Sequence, residues 1–157
     1  MELQIGLTKD QRQGVITLLR TLLADEYILY TKTRNFHWNV TGPLFHDLHK
    51  FFESQYEEID ETIDEIAERI RSLGAAAPGS LAELFALTTL KEASSGGTKS
   101  QEMVGALLSD HEAIIVSLRA GLETAQSKFG DAGTADFLTG LMEEHEKMAW
   151  MLRSMLE

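Results

Sequence analysis

Two histidines and three carboxylates carry the chemistry open to this sequence: His37, His49, Glu53, Asp64 and Glu68. His49 and Glu53 are four residues apart, so on a helix their side chains share one face, one turn apart, a spacing common among metal ligands. Asp64 and Glu68 repeat that spacing. The chain has no cysteine, which removes disulfides, thiolate ligands and thiol catalysis together and leaves His, Asp and Glu to hold any metal. An acidic stripe alone usually means a solvated helix face. Here Glu53, Glu57, Asp60, Asp64 and Glu68 align with a histidine on the same wheel sector, and that alignment points to a ligand set.

The elements that must position these groups follow from the apolar spacing. Thr8 followed by Gln11 is a capping-box start, and Val15, Leu18, Leu19, Leu22, Leu23, Tyr27 and Leu29 keep helical period to about Trp38. Asn39 to Pro43 breaks the helix, and a second runs from about Leu44 to Leu73, stopped by Gly74. So short a break makes the two helices an antiparallel hairpin, which brings the rings of His37 and His49 toward each other. On the second helix Phe45, Leu48, Phe52, Tyr56, Ile59, Ile63, Ile66 and Ile70 form the core face.

One chain cannot gather all five ligands. The fifteen residues of helix from His49 to Asp64, at about 1.5 Å each, separate them by roughly 22 Å. Each chain therefore supplies half-sites. Two copies of the second helix packed antiparallel across a two-fold axis near Glu58 and Ile59 would bring Asp64 and Glu68 of one chain opposite His37, His49 and Glu53 of the other.

Downstream, the connection from Gly74 to Gly97 is too long for a turn and contains the apolar piece LAELFALTTL, so it reads as a crossover carrying a short helix. A third long helix is expected over Ser100 to Ser127 and a fourth over Thr134 to Leu156. The expected fold is all-α: a ferritin-like four-helix bundle with a short extra helix in the long crossover between helices two and three, as one domain spanning 1–157. The composition, 43% hydrophobic and 25% charged with two prolines, agrees with a helical globular protein. The first ten residues lack the basic and apolar regions of a secretory signal and no run of 18 apolar residues occurs, so the expectation is a cytoplasmic protein without a membrane span. The net charge of -11 repels nucleic-acid phosphates and favours cations.

The pattern His37-Trp38, Gly42, His49, Glu53, Asp64, Glu68, Arg69, together with HEKMAWMLRS near the C-terminus, resembles the Dps family of mini-ferritins, the DNA-binding proteins from starved cells, over essentially the whole chain. The resemblance implies a homo-dodecameric shell with inter-subunit ferroxidase centres that oxidise Fe(II), preferably with hydrogen peroxide, dioxygen being the other oxidant, and store the ferric product. It implies His37 and His49 as terminal iron ligands, Glu68 as the bridging carboxylate, and Asp64 and Glu53 as weaker or second-metal ligands, with zinc as a substitute for iron. Trp38, beside a ligand, is a candidate electron donor, with packing at a helix end as the alternative. Asp131 and Asp136 flank the fourth helix where the family builds an acidic iron-entry pore.

Other residues receive plainer readings. His46 is an auxiliary ligand or an exposed histidine at a helix start. His111 and His145 are expected at the surface, and Met142, Met148, Met151 and Met155 in the core or at interfaces. The family name raises a rival function, a DNA-compacting nucleoid protein without a ferroxidase role. Relatives that bind DNA use Lys-rich tails, whereas here the one lysine near the N-terminus is Lys9 and Glu157 follows a helix directly. An acidic shell without a basic tail should not bind duplex DNA at physiological salt.

Overall fold

The structure, a computed structural model, describes residues 3–96 and 98–157. Helix α1 spans Lys9–Asn39 and α2 spans Phe45–Ser72; α3 is the short helix Leu81–Leu87, α4 spans Ser100–Glu123 and α5 spans Ala132–Ser154. Helices α1 and α2 pack as one antiparallel hairpin and α4 and α5 as a second, with the crossover and α3 between them against α1. Among the described residues there is no strand and no helix long and apolar enough to cross a membrane. This is the expected bundle, extra helix included.

The helix ends show why the hairpins form. Thr8 accepts from the Gln11 N–H at 3.3 Å while the Gln11 side chain accepts from the Thr8 N–H at 2.8 Å, the capping box read from the sequence. At the end of α2 the Ala75 N–H reaches the Ile70 carbonyl and the Gly74 N–H reaches that of Arg71, a Schellman motif whose turning residue, Gly74, sits at φ +94°. The Arg12 guanidinium donates to the Leu73 carbonyl at 3.2 Å, tying α1 to that terminus. The crossover is pinned from within the bundle. Asp25, 2% exposed, accepts from the Thr88 and Thr89 hydroxyls and from the Thr89 and Leu90 N–H groups.

Three sequence expectations need correction. Helix α4 does not continue unbroken to Ser127: residues Thr124–Lys128 widen into a π-helical turn, in which the Phe129 N–H bonds back to Thr124. That turn seats Phe129 against α1 at Gly14, where a Cβ would lie 2.2 Å from the ring, so the close approach requires glycine. Helix α5 starts two residues earlier than expected because Asp131 is its N-cap, accepting from the Thr134 N–H at 3.0 Å. On α2, Leu48, Phe52, Ile59, Ile66 and Ile70 are buried as expected, but Phe45, the first residue of the helix, is 46% exposed. The same face buries two polar residues, Gln55 and Thr62.

Candidate metal centre

The last turn of α1 delivers His37 and the second turn of α2 delivers His49, and the break between them folds the two rings face to face. Their centroids are 3.8 Å apart with planes 18° from parallel. The contacts are reciprocal: His37 Nδ1 lies 2.7 Å from the His49 carbonyl oxygen and His49 Nδ1 lies 2.8 Å from that of His37. A carbonyl can only accept, so each Nδ1 must carry the proton and donate it. Each Nε2 is then left with its lone pair outward, the state in which imidazole binds a metal, with the backbone bond fixing tautomer and ring direction. His37 lies near the end of α1, where carbonyls lack helical partners, so the His49 N–H also serves as a cap.

Aromatic rings frame the pair. Phe45 stacks on His49 at 5.1 Å, which gives the exposed Phe45 a contact, and the Tyr56 ring meets His37 edge-on at 5.3 Å. His37 is buried and His49 half-buried. Glu53, one turn below His49, is engaged by Lys50 at 2.6 Å. The Lys50 hydrogen bond and charge, with smaller contributions from His37 and His49, hold the Glu53 carboxyl below its usual range.

Asp64 and Glu68 lie further along α2, both exposed. Among the described residues of one chain, no three His, Asp or Glu side chains converge in a geometry that could hold a metal. His37 and His49 come together; Glu53 is drawn to Lys50, and the two distal acids stand apart.

Residues 16–157 match the ferritin family's Ferritin-like domain. The chain is 51% identical over 155 residues to an uncharacterized low temperature-induced protein of Nostoc sp., covering 99% of this chain and 87% of that one. It is 43% identical over 142 residues to DNA protection during starvation protein 2 of Bacillus anthracis, with 90% and 96% covered. The crystal structure of a Dps protein from Vibrio cholerae O1, described as a member of a broad superfamily of ferritin-like diiron-carboxylate proteins, matches with a TM-score of 0.93 at 32% identity, over 99% of this chain and 96% of that one. The chain belongs to the Dps family.

Within this Dps subunit the other singled-out residues fall into place. Trp38 is 65% exposed, with the Arg34 guanidinium 5.0 Å from its ring centre, so it is not packed into the bundle. His46 is exposed. Asp131, expected beside an iron-entry pore, is 4% exposed, and its carboxylate receives both the cap N–H and the Arg69 guanidinium at 3.0 Å, so within one chain it is engaged at the start of α5. Burial alone would raise its pKa; the bonds from Thr134 and the Arg69 charge outweigh that and lower it. Asp136 is exposed.

The two downstream histidines are not at the surface. His111 and His145 are 0% and 1% exposed in the bundle core, with their Nδ1 atoms 2.9 Å apart. His145 Nε2 lies 2.9 Å from Glu26, itself fully buried, without forming a hydrogen bond to it, and both Glu26 carboxylate oxygens are likewise without a hydrogen-bond partner. Neither sequence neighbour, Asp110 or Glu144, is their partner: Asp110 pairs with the buried Lys32. Sequence reading also passed over Tyr30 and Arg34, which with Trp38 form an i, i+4, i+8 row on α1. That spacing was the available signal.

Proposed function

We propose that this chain is an iron-storing mini-ferritin whose two-fold dimers hold shared ferroxidase sites, and that twelve chains close into a shell of roughly 210 kDa, twelve times 17.5 kDa. The observation that carries the reading is the crossed pair of Nδ1–H bonds, which aims two Nε2 lone pairs from one hairpin in advance of any ligand. A partner's Asp64 and Glu68 complete the donor set, since about 22 Å of helix bars this chain's own pair. Imidazole nitrogen with carboxylate oxygen suits Fe(II) and keeps affinity as it becomes Fe(III). Zinc fits the same donors.

Iron is the substrate. Two Fe(II) ions and one hydrogen peroxide, with two protons, give two Fe(III) ions and two waters, so no one-electron oxygen fragment is released; dioxygen is the slower oxidant. His37 and His49 bind and orient, Glu68 bridges, and Asp64 and Glu53 supply the weaker contacts. Glu53 must exchange its Lys50 partner for the metal. Exposed Asp136 lines iron entry. Such a protein removes peroxide and Fe(II) together, a protective role in the cytoplasm under oxidative stress. Binding to DNA forms no part of the reading, because a net charge of -11 opposes it.

The test is complementation. A chain with His37→Ala and His49→Ala and a chain with Asp64→Ala and Glu68→Ala should each be inactive in Fe(II) oxidation. Co-refolded, each mixed dimer regains one intact site and activity returns. Verified mixed dimers as inactive as their parents would refute site sharing.

A further inference from the structure

We propose that His111 and His145 share one proton between their facing Nδ1 atoms, His145 donating and His111 accepting, and that this bond is an acid-operated latch on the α4–α5 hairpin. The latch goes beyond the iron chemistry proposed above and requires no metal.

Both rings are buried in the bundle core, with centroids 5.0 Å apart and planes at 50°. Their Nδ1 atoms are 2.9 Å apart, within hydrogen-bond range. A contact between two ring nitrogens is a hydrogen bond only when one carries a proton and the other offers its lone pair. With a proton on each, N–H faces N–H and the contact turns repulsive. One proton therefore fits, and it joins α4 to α5 where α5 also meets α1 through His145 Nε2 and Glu26, 2.9 Å apart.

The charges around the pair decide which ring accepts. From α1, the buried Glu26 stands beside His145, while Lys32 is paired with Asp110 of α4 and Asp25 is taken up by the crossover. From α5, Glu144 adjoins His145; burial and then Glu65 of α2 hold its carboxyl above the usual range, with Glu58 of α2 and Glu26 adding to that. The acids gather around His145. Of the described residues, only His145 acts on His111 through its charge, and burial followed by that charge pushes the His111 pKa well below 6.5. His111 is the ring kept neutral, so it accepts through a bare Nδ1 and carries its own proton on Nε2.

That arrangement supplies the trigger. The bare Nδ1 is the one basic nitrogen left on His111, and it is the nitrogen that faces His145. A proton taken up there removes the acceptor and sets the rings against each other, so acid cannot charge His111 in the closed hairpin without breaking the bond. The ion pairs that also span α4 and α5, Arg119 with Glu146 and Arg153 with Glu112, are exposed and of the kind that contributes little. Opening the hairpin lets His111 meet water and titrate near its ordinary value. The opening equilibrium then rises up to about tenfold per pH unit below about 6.5, or up to about 30-fold at about pH 5.

The experiment follows amide hydrogen–deuterium exchange of the full chain by mass spectrometry at about pH 7.5 and about pH 5, with labelling times scaled for the intrinsic effect of pH on exchange. At the lower pH, wild type should exchange faster over residues 107–114 and 141–148, by up to about 30-fold. His111→Gln cannot take up the proton and should keep its protection there. Unchanged protection in wild type, or an equal loss in His111→Gln, overturns the latch. Solid-state nitrogen NMR of wild type carrying isotope-labelled histidine tests the shared proton without any substitution, whether or not the variant folds. Two ring nitrogens coupled through one hydrogen are expected at about pH 7.5, and a spectrum with no such coupling overturns the proposal.

Discussion

Acid should weaken this fold through His111, and the size of the effect can be worked out. Burial, and then the neighbouring His145, push the His111 pKa well below its ordinary value of 6.5. The unfolded chain takes up a proton on this residue near pH 6.5, and the folded chain does so only at lower pH, so the contribution to stability is intact above 6.5 and is lost as pH falls from there toward the folded value. Each pH unit in that window costs about 1.4 kcal/mol, so a drop from about pH 7.5 to about pH 5 removes up to about 2 kcal/mol per chain. His111→Gln keeps a polar partner for the His145 ring and removes the titration. Urea unfolding of both proteins at the two pH values is the assay: the background loss from other groups is shared, and wild type should lose more than the variant, by up to about 2 kcal/mol. Equal losses would refute the reasoning, because His111 would then have to be protonated alike in both states.

Further outcomes follow from single contacts. Gly14→Ala should destabilise by about 1–3 kcal/mol in urea titration because its Cβ meets the Phe129 ring, whereas Gly105→Ala, with nothing within 4 Å in mid-helix, should stabilise by up to about 1 kcal/mol. Asp131→Ala removes the α5 cap and strands Arg69, so the loss in thermal unfolding should be about 1–2 kcal/mol, with Asn recovering part of it through the retained cap. Lys50→Ala frees Glu53; anaerobic Zn(II) titration of the assembled protein should then show tighter binding, and unchanged affinity would mean that Glu53 is not a ligand.

Local rules in the sequence determined most of this molecule. The capping pair Thr8 and Gln11, the stop at Gly74 and the apolar spacing of α2 each act within a turn or two of helix, where a 3.6-residue period sets which side chains meet. The same locality made the histidine pair of the proposed half-site legible: His37 and His49 are 12 residues apart across one tight break, and the helix rise alone barred Asp64 and Glu68 from joining them. What the tertiary structure decided lies beyond that range. Phe129 could be placed on Gly14 only once a π-helical turn had re-aimed it. Asp131 became a cap and an ion-pair partner because Arg69, 62 residues away, arrives beside it. His111 and His145, 34 residues apart on two helices, meet each other and Glu26 in the core, while their acidic neighbours in sequence suggested a solvated surface. A charged neighbour one residue away points to another side of the helix; the partner that fixes a buried imidazole comes from whichever helix packs against it, and that is settled by the fold as a whole.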